Sequence, residues 1–166
     1  MKYYTSELWR KLNSDSDEER EDAKKQWTKN SKEYGERFEK LKYKLPKRFL
    51  QIFMKEYGFH DYYLTDLQII HETPGYRNPV KVILTITDTE KSWNIIYHGI
   101  KDIDVKYTSE PYVRPGKTKK YYDGFDIYGY NEFNEVDEET LSHEILFASG
   151  ATILVSFRKI SIKKVE

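Results

Sequence analysis

The chain contains no cysteine, which excludes disulfides, thiolate metal sites and cysteine nucleophiles. That absence fits a reducing compartment, and a cytoplasmic location is expected. No window approaches the roughly 18 consecutive apolar residues of a membrane-spanning helix. Residues 1–12 carry scattered charges where a secretory signal would need an apolar stretch. Net charge is also lacking, since 28 Lys and Arg stand against 28 Asp and Glu, so there is no global attraction to nucleic acid or to an anionic membrane. β-Branched residues are nearly absent from the first third. Of 14 Ile and 7 Val, only Ile52 precedes Gly58. Such side chains fit a pleated sheet and are mildly unfavourable in helices, so residues 1–58 read as helical and 59–166 as β-rich, within one domain of 166 residues.

A short helix is predicted over residues 6–12. Ser16 followed by Glu19 matches a capping box, and a long charged helix from about Asp17 to Lys44 follows, with Ala23, Trp27, Tyr34, Phe38, Leu41 and Leu45 on one stripe. At about 1.5 Å per residue such a helix either bends, most cheaply at Gly35, or extends past the domain. Pro46 suits the first position of a third helix, with Phe49, Leu50, Ile52, Phe53 and Tyr57 facing inward and Gly58 closing it. Beyond Gly58, period-two alternation marks strands at Tyr63 to Ile69, Val80 to Thr87, Trp93 to Tyr97, Ile100 to Tyr107, Phe125 to Phe133, Ile145 to Ala148, Ala151 to Phe157 and Ile160 to Ile162. Pro74-Gly75 and Ser149-Gly150 read as turns, His98-Gly99 as a bend, and Ser109 to Gly124 as the longest loop. The fold class is therefore α+β: N-terminal helices, then an antiparallel β-meander of about six strands with the Pro46–Tyr57 helix packed on it. Leu67, Ile69, Val82, Leu84, Ile86, Ile153 and Val155 are expected to share a core with Phe49 and Phe53.

Histidine beside a carboxylate is the raw material of acid–base and metal chemistry, and His60-Asp61, His71-Glu72 and His143-Glu144 each bring the two together in sequence. Neighbours on a strand point to opposite faces, so these read first as surface or structural histidines. His60, Asp61, His71 and His143 nevertheless stand as the catalytic candidates of a small hydrolase. Asp102 and Asp104 share one strand face, a spacing used by divalent-metal enzymes and equally by the wet side of a half-buried strand. No HExxH, nucleophile elbow, Walker loop or dinucleotide fingerprint is present, so neither metal nor cofactor is expected.

Charge distribution points elsewhere. From Tyr121 to Glu144 there are eight acids and no Lys or Arg, interleaved with Tyr121, Tyr122 and Phe125. Tyr128, Tyr130, Glu132, Phe133, Glu135, Glu138 and Glu139 make up a candidate surface for a basic protein partner. Two other readings stand beside it. The basic stretch from Lys29 to Arg48 can pack near this strand and compensate it within one molecule, or, less favoured because Arg is scarce, it can meet nucleic acid. The sequence leaves oligomeric state open.

The opening Met1-Lys2-Tyr3-Tyr4-Thr5 with Glu7-Leu8-Trp9, then a charged helix and His60-Asp61, resembles a family of small Bacillus-type bacterial proteins of unknown function. From residue 60 onward, His60-Asp61, the Gly99–Ile103 run, Ile145-Leu146-Phe147 and the terminal hairpin are similar to small toxin-immunity proteins. Neither resemblance transfers a catalytic residue. Together they imply a non-enzymatic protein-binding module of immunity type, with a His-dependent hydrolase as the alternative.

Overall fold

The computed structural model describes residues 1–72, 78–108, 111–113, 118, 120–122 and 124–165. Helices α1 (Ser6–Leu12), α2 (Asp17–Leu41) and α3 (Lys47–Lys55) come first. Strands β1 (Tyr63–His71), β2 (Val80–Thr87), β3 (Ser92–His98), β4 (Asp102–Lys106), β5 (Pro111–Val113), β6 (Lys120–Tyr122), β7 (Tyr128–Glu135), β8 (Leu141–Phe147), β9 (Thr152–Phe157) and β10 (Lys159–Lys164) follow. The architecture is α+β, and every strand pairing among the described residues is antiparallel. In place of one meander of about six strands there are two four-stranded sheets, ordered β1-β2-β3-β10 and β4-β9-β8-β7. The stretch read as one long loop contains the paired β5–β6 ribbon. The Pro74-Gly75 turn and loop residues Pro115, Gly116, Lys117 and Lys119 lie outside the described residues.

Two sheets arise because one long two-stranded arm bends. β3 runs into β4 through Gly99, while β9 runs into β10 through Arg158, whose N–H reaches the carbonyls of both His98 (3.1 Å) and Gly99 (3.2 Å). Gly99 has φ +64°, and a Cβ there would lie 2.9 Å from the Arg158 Cβ. Both strands therefore turn the same corner and leave one sheet for the other. On the opposite side, the Tyr128 N–H donates to the Tyr62 carbonyl (2.6 Å) and Tyr63 bridges Ile127, which ties the start of β1 to the start of β7.

α2 begins as its cap requires, with the Ser16 hydroxyl accepting from the Glu19 N–H (3.4 Å), although the Glu19 carboxylate turns to the Ser14 hydroxyl (2.6 Å). The helix runs unbroken through Gly35 and stops at Leu41, because Lys42–Lys44 tighten into a 3₁₀ turn. Pro46 is the N-cap of α3 instead of its first residue. Phe49 and Phe53 are buried as expected, but Tyr57 is 88% exposed because the chain turns after Glu56 with Tyr57 at φ +50°.

One apolar cluster joins α3, the end of α2 and the inner faces of both sheets, including Val82, Leu84, Ile86, Ile153 and Val155. Leu67 is only partly buried and Ile69 is 54% exposed. Both sit on β1, an edge strand whose register shifts between Leu64 and Asp66 and whose far half is left largely uncovered.

β7 has a second register shift, between Tyr128 and Tyr130. A Cβ on the intervening Gly129 would stand 2.9 Å from the Leu146 carbonyl oxygen. The bulge reverses the phase of the strand, so Tyr128 and Phe133 enter the core while Tyr130 and Glu132 take the other face.

The two glycines should respond in opposite ways to alanine. Nothing lies within 4 Å of a Cβ on Gly35, so Gly35→Ala should add about 0.5–1 kcal/mol through helix propensity, a rise of about 2–4 °C in Tm. Gly129→Ala should cost about 1–3 kcal/mol because backbone must move to admit the methyl group. Thermal melts of both variants check the pair, and a stable Gly129→Ala would contradict the bulge.

Candidate functional site

The outer face of the β7–β8 pair carries two carboxylates directly opposite one another, Glu132 and Glu144. Like charges in that register repel. The first four residues of the chain lie over them and supply what they lack. The fully buried Glu132 carboxylate accepts from the backbone N–H groups of Lys2 (2.8 Å), Tyr3 (2.6 Å) and Tyr4 (2.7 Å), and the Met1 amino group pairs with Glu144. α2 covers the segment from above. Asn30 donates to the Tyr3 carbonyl (2.8 Å), and the Tyr34 hydroxyl accepts from the Phe133 N–H (2.8 Å) on the edge of β7. Burial pushes the Tyr34 hydroxyl pKa well up.

This arrangement brings aromatic rings together around Tyr130. Trp27 meets it edge-on at 4.6 Å, Tyr4 stacks at 5.2 Å, His60 stands edge-on at 5.2 Å, and Trp9 lies at 5.9 Å while its indole N–H donates to the Ala148 carbonyl (2.9 Å). Two depressions adjoin the Tyr130 ring. The larger, of about 230 Å³, is bounded by Tyr4, Phe38, Phe53, Tyr57, His60 and Asn131; the smaller, of about 110 Å³, by Trp9, His60, Asp61, Leu146 and Ala148. The two share His60, Gly129 and Tyr130 in their linings, and the groove they make up lies against the Tyr130 ring.

One wall of the groove is strained. Tyr57 (φ +50°), Gly58 (+68°), Phe59 (+63°) and Asp61 (+69°) all adopt the left-handed region, and three of them are not glycine. Each such residue costs of order 1 kcal/mol or more, and strain of this kind persists only where the surroundings enforce it. Here they do so through fully buried Phe59, the Asn131 amide donating to the Gly58 carbonyl (3.2 Å), and the Asp61 N–H donating to the Tyr128 carbonyl (2.9 Å). The segment presents Tyr57 and Asp61, both largely exposed, with His60 between them.

Of the catalytic candidates, only His60 and Asp61 meet, with Nδ1 and Oδ1 3.0 Å apart. They were expected on opposite strand faces, but they precede β1 in a turn, and the positive φ of Asp61 folds its carboxylate back to the ring. His71 ends β1 on the surface. His143 is far from solvent, between the Tyr97 hydroxyl (2.7 Å from Nδ1) and the Tyr128 hydroxyl (3.1 Å from Nε2), with Phe133 stacked on it at 3.9 Å. A neutral imidazole has one donor and one acceptor, so one tyrosine donates to it and the other accepts. The three rings join the inner faces of the two sheets. Burial lowers the His143 pKa to about 3 and raises both tyrosines well above their usual range. Among the described residues no group of three or more His, Asp or Glu could hold a metal ion. Asp102 is solvent-facing on edge strand β4, and Asp104 pairs with Lys106 (3.0 Å).

The candidate binding residues divide. Tyr128 and Phe133 are core residues, and Glu132 is sealed beneath the N-terminal segment, so none of these three faces a partner. The reason is that β7 is covered on both faces, by the core and by the helical layer. Tyr130 floors the groove. Glu135 is paired with Lys44, Asp137 with Lys101 (3.8 Å) and Glu139 with Arg158 (3.7 Å), which leaves the acidic end of β7 largely compensated within the molecule. Glu138 is exposed. The side chains of Tyr121 and Tyr122, and Asp123, fall outside the described residues. The Tyr57–Asp61 strain carried no sequence signal beyond Gly58.

The chain matches no family model, and no curated protein is significantly similar to it.

Stability should fall as the solution is acidified, because unfolding restores His143 to an ordinary pKa near 6.5 while the folded value is about 3. The unfolded state then binds the proton first, so this contribution is complete above pH 6.5 and declines toward pH 3, by up to about 1.4 kcal/mol per pH unit. Urea unfolding of the parent and of His143→Leu at pH 7.5, 6 and 4.5 isolates it. The parent should show the steeper loss, and equal slopes would contradict the assignment.

Proposed function

We propose that the protein is a non-enzymatic, cytoplasmic protein-binding module of the immunity type, and that it takes its partner in the groove floored by Tyr130. The observation that carries this reading is the concentration of backbone strain in the one segment that displays Tyr57 and Asp61 beside an aromatic depression. An exposed tyrosine rim over an apolar floor is the composition of an interface anchor site. The partner's chemistry follows from the lining. Asp61 places a carboxylate at the rim, and among the described residues neither depression is bounded by Lys or Arg. The fitting occupant is an aromatic or aliphatic side chain flanked by a basic residue, presented by a basic protein partner. Among the described residues no helix is long and apolar enough to cross a membrane.

The His60–Asp61 contact favours a second reading, hydrolysis with His60 as the base oriented by Asp61. It lacks support from the other histidines, which are dispersed over the end of β1, the outer sheet face and the core.

Selection from a displayed peptide library separates the two. The parent should enrich peptides with an apolar or aromatic residue next to Lys or Arg, Tyr57→Ser should weaken the selected peptides at least tenfold, and Asp61→Lys should shift enrichment toward acidic neighbours. Identical enrichment by parent and Asp61→Lys would defeat the binding reading. Turnover of a model ester or phosphoester that is lost in His60→Gln would establish the alternative.

A further inference from the structure

The bent corner that divides the sheets gathers cations. On the outer face, Lys81 of β2, His98 of β3 and Lys159 of β10 stand directly opposite one another in register, on three adjacent strands. With strands about 4.8 Å apart, their backbones form a row about 10 Å long. Lys163 lies on the same face of β10, and Arg158 occupies the corner itself. Lys81 and Lys159 flank His98 and oppose its protonation, and among the described residues little offsets these basic groups. Lys81 reaches Glu72 at 3.3 Å and Arg158 reaches Glu139 at 3.7 Å, both exposed contacts, while Lys159 and Lys163 have no ion pair among the described residues. A depression of about 440 Å³ opens at the corner, bounded by Asn78, His98, Gly99, Glu139, Arg158 and Lys159; a second, of about 420 Å³, shares His98, Arg158 and Lys159 with it and extends toward Lys44. The corner is preformed, because the positive φ of Gly99 and the forked N–H bond of Arg158 hold it.

We propose that this corner binds an oligophosphate anion, a di- or triphosphate chain lying along the row from Arg158 and Lys159 over His98 to Lys81. A linear chain of anionic oxygens matches basic groups set in a line, with Arg158 and Lys159 at one end, Lys81 at the other and His98, which gains its charge on binding, between them, in a way that a single ion does not. The Asn78 amide can donate at the end nearer the corner, and Glu139, whose hold on Arg158 is long, gives way. His98 makes the site responsive to pH. Burial lowers its pKa, with Lys81, Lys159 and Lys163 lowering it further and Glu72 opposing them. A bound anion reverses the repulsion, so binding takes up a proton and tightens as pH falls through the His98 titration.

Titration of the intact chain with inorganic triphosphate at low salt, followed through the His98 ring protons and by calorimetry, tests the proposal. Triphosphate should move the His98 signals, raise its pKa, and bind at least tenfold tighter than orthophosphate. Arg158→Gln with Lys159→Gln should weaken binding at least tenfold with Tm unchanged or raised, and His98→Gln should remove the proton uptake by the protein, leaving only the pH dependence of triphosphate's own ionisation. A nucleoside triphosphate binding more tightly than inorganic triphosphate identifies a nucleotide as the source of the chain; equal affinity identifies the phosphate chain alone. Unmoved His98 signals, parity with orthophosphate, or full binding by the double variant would overturn the proposal.

Discussion

A carboxylate without water must find its hydrogen bonds elsewhere, and the architecture is arranged around how Glu132 finds them. Its three donors are main-chain N–H groups from the opposite end of the chain. A carboxylate only accepts, so a set of converging amides satisfies it well. Once the N-terminal segment is held there, Tyr3 and Tyr4 have a fixed place under α2, Tyr34 reaches the exposed edge of β7, and Trp9 and Trp27 close around Tyr130. The helical layer is thus fastened to the sheet by a polar anchor as well as by apolar contact, which suits a chain with 38% hydrophobic residues and 15 tyrosines.

Two backbone irregularities position both candidate sites. The bulge at Gly129 turns Tyr130 and Glu132 away from the core, which creates both the groove floor and the anchor. The corner at Gly99 and Arg158 splits one long arm between two sheets and leaves a row of basic side chains on the outside. Between the sheets, the Tyr97–His143–Tyr128 chain joins strands of different sheets by hydrogen bonds that leave the imidazole uncharged. Such a network is specific because every member needs its partner, and it becomes a liability in acid.

Local patterns were legible and long-range ones were not. Alternation of Val82, Leu84 and Ile86 identifies β2 and its buried face, Ser16 identifies the start of α2, and Ser149-Gly150 identifies the β8–β9 hairpin, because neighbours in sequence decide each of these. Ile69 misleads for the converse reason: its alternation is correct, but whether anything covers an edge strand depends on the rest of the fold. The odd spacing of Tyr128 and Phe133 around Gly129 holds the clue to the bulge, since two core residues five apart cannot share a face of a regular strand. Glu132 reads as a surface acid because its donors lie 128 to 130 residues away. The groove is hidden in the same way, being built from α1, α2, the Tyr57–Asp61 turn and β7, which meet only in three dimensions.

Whether Glu132 holds the N-terminal segment is decided by amide hydrogen exchange at Tyr3 and Tyr4, compared between the parent and Glu132→Gln. Glutamine keeps the shape but has one acceptor oxygen for three amides, so serving Tyr3 and Tyr4 turns its N–H₂ donor against the Lys2 N–H, and neither tyrosine amide faces a charge any longer. Both amides should be protected in the parent and exchange faster in the variant, with a loss of about 1–3 kcal/mol in unfolding free energy. Unchanged protection and unchanged stability in Glu132→Gln would contradict the account.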